Sequence, residues 1–343
     1  MKAKKIFEEI RNSKVFYSLI GLIILVIFSA IAAPNFRTVD NIITVFRQAS
    51  VLLVLSAGLT AVLLTGGMDL SVGATAGFIG CICAQCIKNG VPIPAAFILG
   101  ILIGLVVGVI NGLLAGILPS FIATYGTSWV MSGLAVLVMQ GAVIYDLPKG
   151  FTQIGVGYTG PVPNLIIIAA VVVILIYVLL QKTTYGRQVY AYGSNPVAAK
   201  YAAVPVKKVM LSAFMMCSMC AGLAGMLMTA RLNAADAAMG DSYGLQTVAA
   251  VVVGGTSMLG GEGGVLGTVV GALILTIIVN VMNLKGISSY AQGLVIGIVI
   301  IAMVLFDTYS KRRQESKARA DTPTAVRLWR PISPKASTSR SDA

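Results

Sequence analysis

The sequence predicts an all-helical membrane protein of about ten transmembrane helices, and two features lead to this prediction. Of the 343 residues, 57% are hydrophobic and only 11% are charged, and the mean hydropathy is +0.90. About a quarter of the residues in a soluble domain are charged, so these apolar side chains need lipid around them. The apolar residues also gather into runs long enough to cross a bilayer, which takes about 20 residues.

Ten such runs follow one another, and they differ in how regular they are. The six clear runs are Val15–Ala33, Gln48–Thr65, Ile93–Leu118, Val162–Gln181, Val209–Ala230 and Tyr290–Asp307. Four runs richer in glycine or small polar residues are Ser71–Ile87, Ser120–Ile144, Leu245–Met258 and Val265–Leu284. We expect a single transmembrane domain over residues 15–310, because the bilayer rather than chain length defines its core.

The placement of basic residues predicts how the spans are oriented. The net charge is +13, and five, five and nine of the 25 Lys and Arg lie in residues 1–14, 182–208 and 311–343. Positive residues concentrate on the cytoplasmic side of membrane proteins. Six spans separate the first segment from the second and four separate the second from the third, so all three are expected in the cytoplasm. The charge therefore indicates topology, and we expect no nucleic-acid partner.

The two ends of the chain are expected to be cytoplasmic segments outside the transmembrane domain. Residues 1–14 form a basic amino-terminal segment, and the polar, basic tail 311–343 is expected to be disordered. The first apolar run has an alternative interpretation, since Ala30-Ile31-Ala32 resembles a signal-peptidase site. The run is longer than is usual in a signal peptide, which favours a retained helix. With either interpretation Pro34 lies outside.

The composition gives no indication of metal, cofactor or catalytic chemistry. The chain has no histidine, the residue that most often binds metals and transfers protons near neutral pH. Its cysteines lie at positions 81, 83, 86, 217 and 220, all within apolar runs. Their spacing superficially resembles metal ligands, but buried cysteine behaves as a small hydrophobic residue. We predict that they pack in the core, and that the chain is not an enzyme.

Glycines form a stripe in the fourth apolar run. Gly100, Gly104, Gly108 and Gly112 recur every four residues and therefore share one helix face. Small residues at this spacing allow two helix backbones to approach closely in lipid. We expect a second helix to pack against this stripe.

Two further glycine-rich stretches, residues 65–73 and 254–264, interrupt the spans on the predicted cytoplasmic side. Broken helices at corresponding places in two halves often mark the permeation path of a transporter, and ordinary tight turns are the alternative. Neither stretch is a P-loop, because no lysine follows the last glycine. Residues 155–160 match G-x-G-x-x-G but lie in a predicted outside loop without a strand–helix unit.

The basic loop 182–208 contains a predicted short helix. Ser194 or Asn195 can cap it, and Pro196 suits its first turn. We expect the helix to run to about Ala203, before Pro205. An exposed helix on a basic cytoplasmic loop suits the docking of a cytosolic partner.

Five segments together resemble the permease subunit of ribose-type ABC sugar importers. They are GGMDLSVG at 66–73, PSFIATYGT at 119–127, YGRQVYAYGSNPVAA at 185–199, AAVVVGGTSMLGGEGGVLGT at 249–268 and NVMNLKGISSYAQGLVIG at 280–297. The resemblance covers residues from about 41 to 307, in family order. The chain departs from the family at Ala203, where glycine is frequent, and at Glu262, where a basic residue is frequent.

The resemblance implies a fold, a location and a set of partners. The fold would be similar to the ten-helix vitamin B12-type importers, in the plasma (inner) membrane of a bacterium, with loop 182–208 coupling to a cytosolic ABC ATPase. The chain would form a homodimer, or pair with a similar permease, and receive a ribose-like pentose, related sugar or polyol from an extracytoplasmic binding protein. Hydrolysis of ATP would take place in the separate ATPase subunit.

Two alternatives stay open for the function. An ABC permease for nucleosides or branched-chain amino acids would share the fold. A stand-alone carrier coupled to an ion gradient is the other, because Asp69 is an acid at an expected helix break, and acids within the membrane often mark ion pathways.

Three sets of candidate site residues follow from the motifs and the resemblance. The candidates for coupling to the ATPase, with Ala198, Ala199 and Tyr201 expected on the exposed face, are Gly193, Ser194, Asn195, Pro196, Ala198, Ala199 and Tyr201. The candidates for the translocation path, with interhelical hydrogen bonds as the alternative, are Gln48, Asp69, Asn111, Thr124 and Asn283. The candidates for docking the binding protein, with interfacial anchoring as the alternative, are Arg47, Arg231, Asp236 and Asp241.

Overall fold

The helices of this protein are seen in a computed structural model that describes residues 14–288, 291–299 and 301–302. The described residues up to 299 belong to one compact unit, and residues 301–302 belong to a second. Most of the expected amino-terminal segment, the end of the tenth expected span and the expected tail 311–343 lie outside the described residues.

Seven helices in the described residues are long and apolar enough to cross a membrane. They are α1 (Lys14–Ala32), α2 (Val39–Leu64), α4 (Ile93–Ala115), α5 (Ser120–Met139), α7 (Asn164–Lys182), α10 (Val206–Leu232) and α12 (Val265–Leu284). Two shorter apolar helices are α3 (Val72–Lys88) and α11 (Tyr243–Val253), and residues 291–299 are also helical. The prediction of a multi-pass helical membrane protein is confirmed.

The short elements lie in the connections between these helices. The short helices are α6 (Lys149–Val156), α8 (Thr184–Ser194), α9 (Pro196–Tyr201) and a single 3-10 turn (Pro34–Arg37). The two-residue strands are β1 (Ile144–Tyr145), β2 (Tyr158–Thr159), β3 (Val162–Pro163) and β4 (Ala234–Ala235). Strands β1 and β4 pair antiparallel, as do β2 and β3, so the G-x-G-x-x-G match enters a hairpin.

Helix α11 corrects one predicted span. Its eleven residues give a length of about 16 Å, roughly half of a hydrocarbon core about 30 Å thick. The segment before it folds back along α3, where Gly240 packs against Gly73 and Gly77. The helix ends at Gly254, and Gly255 follows in the left-handed region with φ +91. The expected span Leu245–Met258 is therefore wrong in extent.

Several other predicted boundaries are wrong for local reasons. Helix α2 begins at Val39 rather than Gln48, because the Thr38 side chain accepts the N–H of Asn41 and caps the helix. Helix α5 ends at Met139 rather than Ile144, because Gln140 has φ +50 and leaves the helical conformation. The apolar runs alone predicted neither the polar first turns of α2 nor the left-handed residue Gln140 that ends α5.

The core is built around α2, which is buried along most of its length from Ala49 to Leu64. Helix α10 packs closely on it, since a Cβ at Gly58 would lie only 2.7 Å from the Cβ of Cys220. The cysteines at 81, 83, 217 and 220 are buried and the one at 86 is half-buried. Their predicted role in packing is confirmed.

The glycine stripe of α4 lies against the other side of α10, as expected. A Cβ at Gly104 would overlap the carbonyl oxygen of Ser218, and one at Gly108 would lie 2.5 Å from the Cα of Met215. Both helix backbones are therefore in direct contact, which larger residues would prevent. This prediction is also confirmed.

The bundle has two ends, which we name by their loops. The basic end carries loop 182–208 and both glycine-rich stretches, which contact one another. The opposite end carries α6 and the two strand pairs, where the Nζ of Lys88 donates to the carbonyl of Asp146 at 3.0 Å. Leu147 N–H also donates to the side chain of Asn233 at 2.9 Å there.

Candidate functional site

The short helix predicted in loop 182–208 is present as α9, at the basic end. Asn195 is its cap, because its Oδ1 accepts the N–H groups of Val197 at 3.1 Å and Ala198 at 2.9 Å. Pro196 occupies the first position, where its missing N–H costs nothing. The helix ends at Tyr201, two residues earlier than expected.

The exposed face of α9 differs from the predicted one. Tyr201 is 89% exposed and Val197 is 65% exposed, whereas Ala199 is only 4% exposed. At about 100° per residue, Ala199 lies roughly 200° from both of these neighbours and so faces the bundle. The expectation that Ala199 belongs to the exposed face is wrong, and the exposed face is formed by Val197, Ala198 and Tyr201.

Just before this helix, the chain meets both glycine-rich stretches. The N–H of Gly261 donates to the carbonyl of Leu64 at 2.9 Å, and a Cβ at Gly193 would collide with the same carbonyl oxygen. A Cβ at Gly260 would lie 2.7 Å from the nitrogen of Gly66. We call Leu64, Gly66, Gly193, Gly260 and Gly261 the glycine junction.

The backbone conformations of the glycine junction depend on glycine. Gly66 has φ +77 and Gly261 has φ +73, values in the left-handed region that other residues rarely adopt. Backbone therefore contacts backbone here, with no side chain between the helix ends. The sequence did not predict this junction, because Gly193 lies about 130 positions from Leu64 and about 70 from Gly261. The double glycines were the only local pattern that indicated an unusual backbone there.

Helix α8, which leads into the junction, was not predicted. The hydroxyl of Tyr190 donates to the carbonyl of Gly263 at 2.8 Å and accepts from Nε2 of Gln181 at 2.5 Å. Thr183 caps the helix by accepting the N–H of Gly186. Loop 182–208 is therefore a folded element fixed to the second glycine-rich stretch.

Three of the five candidate path residues lie in one buried network at the first glycine-rich stretch. Oδ1 of Asp69 accepts the N–H of Ser71 at 2.9 Å and its hydroxyl at 2.6 Å. The amide of Asn111 donates to the Ser71 hydroxyl oxygen at 2.8 Å. Thr124 Oγ1 accepts the N–H of Leu70 at 3.1 Å. These bonds hold the chain between α2 and α3, in the way expected of interhelical hydrogen bonds.

Gln48 lies elsewhere, in a cavity of about 240 Å³ towards the opposite end. We call this the polar cavity; it is lined by Gln48, Leu52, Arg231, Ser242, Tyr243, Gln246, Leu275, Thr276, Val279 and Gln292. Asn283 is exposed and does not line the cavity, but it accepts a hydrogen bond at 2.6 Å from Nε2 of Gln292, which does. The structure therefore divides the five path candidates between two places.

The four charged residues considered for docking also divide into two kinds. Arg47 is half-buried, donates to the carbonyl of Val156 at 2.9 Å and stacks 4.7 Å from the ring centroid of Tyr158. Arg231 lines the polar cavity. Asp236 and Asp241 are exposed. Partial burial, and then the charge of Asp236, raise the pKa of the Asp241 carboxyl above its usual value.

Long apolar helices interrupted by two glycine-rich breaks are typical of a membrane transport protein. Residues 41–304 match the family described as the permease component of the branched-chain amino acid transport system, and the chain belongs to this family of ABC permeases. It is thus a multi-pass protein of the bacterial plasma (inner) membrane.

Several proteins that are similar to this chain over most of its length are named as sugar permeases. The ribose import permease protein of Haemophilus influenzae is 38% identical over 300 residues, which covers 85% of this chain and 92% of that protein. The ribose import permease protein of Bacillus subtilis is 41% identical over 292 residues, covering 84% and 91%. The D-allose transport system permease protein of Escherichia coli is 35% identical over 288 residues, covering 83% and 88%. No solved structure matches the chain significantly.

Proposed function

We propose that this chain is the membrane subunit of an ABC importer for a monosaccharide, a ribose-like pentose or a related sugar or polyol. The observation that carries the proposal is the exposed helix α9, joined through Gly193 to both glycine-rich breaks. The family and the relatives named for ribose and allose import support the transport class and the solute class.

Coupling to a cytosolic ATPase follows from the way α9 is attached. Val197 and Tyr201 expose apolar and aromatic surface, and aromatic side chains frequently dominate binding interfaces. Ala199 fixes the other face of α9 to the bundle. A displacement of α9 is passed to Leu64 and Gly261 because close-packed backbones transmit strain instead of absorbing it.

The proposed topology has ten membrane crossings with both chain ends in the cytoplasm, as in the vitamin B12-type importers. Helix α3 together with residues 65–71 counts as one of these crossings, and the shorter α11 counts as another. The basic end of the bundle is the cytoplasmic end, because the segment richest in basic residues among the described loops lies there. The segments 1–14 and 311–343 flank the transmembrane domain 15–310.

The partners follow from this orientation. An extracytoplasmic sugar-binding protein docks at the opposite end, where Asp236 and Asp241 are exposed and able to steer a basic surface. Arg47 acts as an anchor for the loop after α6 through its bond to Val156. Two copies of the chain, or this chain and a similar permease, surround the translocation path.

A branched-chain amino acid is the second candidate solute, because the family description names that class. The carboxylate of an amino acid needs a basic partner and its ammonium group needs an acidic one. The described residues that line the polar cavity include the basic Arg231 but no acid. The ion-coupled carrier is disfavoured because the chain belongs to a family of ABC permeases. Within the described residues, Oδ1 of Asp69 holds a turn through Ser71 and Oδ2 has no partner. A nucleoside as the solute can be distinguished from a sugar by letting the two compete for uptake.

Reconstitution tests the proposed function. The purified chain is placed in liposomes with its ATPase and its binding protein, and uptake of labelled D-ribose, L-leucine and adenosine is measured. We expect uphill uptake of the sugar that requires ATP and both partners. Uptake by the chain alone under a proton or sodium gradient would establish the carrier instead, and uptake of only leucine or adenosine would replace the solute class.

A further inference from the structure

The polar cavity contains more hydrogen-bonding groups than its own residues satisfy. Neither Gln48 nor Gln246 makes a side-chain hydrogen bond within the described part of the chain. Nη1 of Arg231 is buried and likewise has no partner among the described residues. A polar group without a partner is costly away from bulk water, and more so within a membrane. The cavity must therefore hold water or a solute that bonds to these groups.

We propose that the polar cavity binds a monosaccharide directly, through Gln48, Gln246 and Arg231, as an intermediate site inside the membrane subunit. This inference rests on the proposed function for the class of solute. It adds a place where the solute makes specific contacts after it leaves the binding protein.

The chemistry of the lining favours a neutral polyol. A primary amide offers two donors and one acceptor, which matches hydroxyl groups that both donate and accept. Gln48 and Gln246 provide two such amides, and Gln292 adds only its acceptor oxygen, because its Nε2 already donates to Asn283 and to the carbonyl of Ile287. Tyr243 adds an aromatic side chain with an apolar ring. The volume of about 240 Å³ is below the range of about 300–1,000 Å³ for drug-sized ligands, so it suits a small solute.

The position of the cavity connects it to the glycine junction. Tyr243 is the first residue of α11 and lines the cavity, while Val253 is the last and precedes the glycine-rich stretch that contains Gly261. The two sites therefore lie at opposite ends of a helix about 16 Å long. A shift of the junction moves one wall of the cavity, which gives the site a means of releasing its solute.

Binding is tested without transport. Saturation-transfer difference NMR is recorded with D-ribose and the purified chain in nanodiscs, with neither ATPase nor binding protein present. We expect ribose signals from the wild type, and an affinity at least about tenfold weaker in Gln48→Leu and Gln246→Leu, because each loses hydrogen bonds to the sugar. The matched control is Gln85→Leu, which changes an exposed glutamine of α3 and should bind as the wild type does.

The same variants are then tested in the complete transporter. The binding protein sets the concentration of ribose that gives half-maximal uptake, so the cavity variants should lower the maximal rate and leave that concentration unchanged. Arg231→Gln serves as a second variant if a leucine variant does not insert, and it should weaken ribose binding in the same way.

The outcomes separate this inference from the proposed function. If the wild-type complex imports no monosaccharide, the proposed function is wrong. If it imports ribose but the wild-type chain gives no ribose signal, or the cavity variants bind and transport like Gln85→Leu, the cavity is not a sugar site. Stronger binding of D-gluconate than of D-ribose would overturn the assignment to a neutral solute.

Discussion

Substitution of Gly193 by alanine tests whether the glycine junction couples α9 to the membrane helices. The added methyl group would collide with the carbonyl oxygen of Leu64 and lie 2.5 Å from the nitrogen of Gly261. Both neighbours are backbone atoms, so neither can rotate away as a side chain would. Inserting one carbon into a tightly packed site typically costs about 1–3 kcal/mol.

The expected result is a folded permease with impaired coupling. If the junction must close in one of the two transport states, a penalty of about 1–3 kcal/mol reduces the population of that state by roughly 5- to 150-fold. ATP-driven ribose uptake in liposomes should fall by about tenfold or more. Association with the ATPase should change by less than about twofold, because the exposed face of α9 is untouched.

The control is Gly21→Ala in α1, where an added Cβ would have no atom within 4 Å. It should transport like the wild type, since alanine also suits a helix better than glycine by about 1 kcal/mol. Wild-type uptake by Gly193→Ala would refute the reasoning, because it would show that the close contact does not constrain transport. Loss of ATPase binding would refute it too, since the defect would then lie in docking.

Four further predictions follow from the described contacts. Tyr201→Ala should weaken ATPase association in a pull-down by about tenfold or more, because it removes an aromatic side chain that is 89% exposed, and unchanged association would remove α9 from the interface. Ala199→Glu should instead destabilise the loop, because it buries a charge, and faster hydrogen exchange over residues 196–204 would show this before any effect on docking is considered. Ala203→Gly should slow that exchange by about fivefold, because Ala203 has φ +59 and glycine relieves roughly 1 kcal/mol of strain; faster exchange would mean that the turn is not strained. The double variant Asp236→Lys with Asp241→Lys should capture less of the loaded binding protein than the wild type does at low salt. If the double variant and the wild type capture equal amounts at both low and high salt, these exposed acids do not steer docking.

Ala203, one of the two departures from the family pattern expected from the resemblance, has a left-handed backbone conformation. The resemblance led us to expect that glycine is frequent here, and the structure places Ala203 two residues after the end of α9 in a conformation that favours glycine. The end of α9 was therefore predicted too late, because alanine normally extends a helix. Only the backbone conformation showed that the helix stops at Tyr201.

The sequence alone determined the membrane class, the positions of most helices, the short helix that begins at Pro196 and the packing role of the α4 glycine stripe. These features depend on apolar run length, on local caps and on residues four positions apart, all of which can be read along one segment. Only the tertiary structure decided that α11 is half as long as a membrane span, that Ala199 faces inward and that Gly193 touches Leu64 and Gly261. It also placed the unpartnered nitrogen of Arg231 in a cavity with Gln48 and Gln246. The physical reason is that these relations arise from contacts between segments far apart in the chain, which no local pattern of side chains encodes.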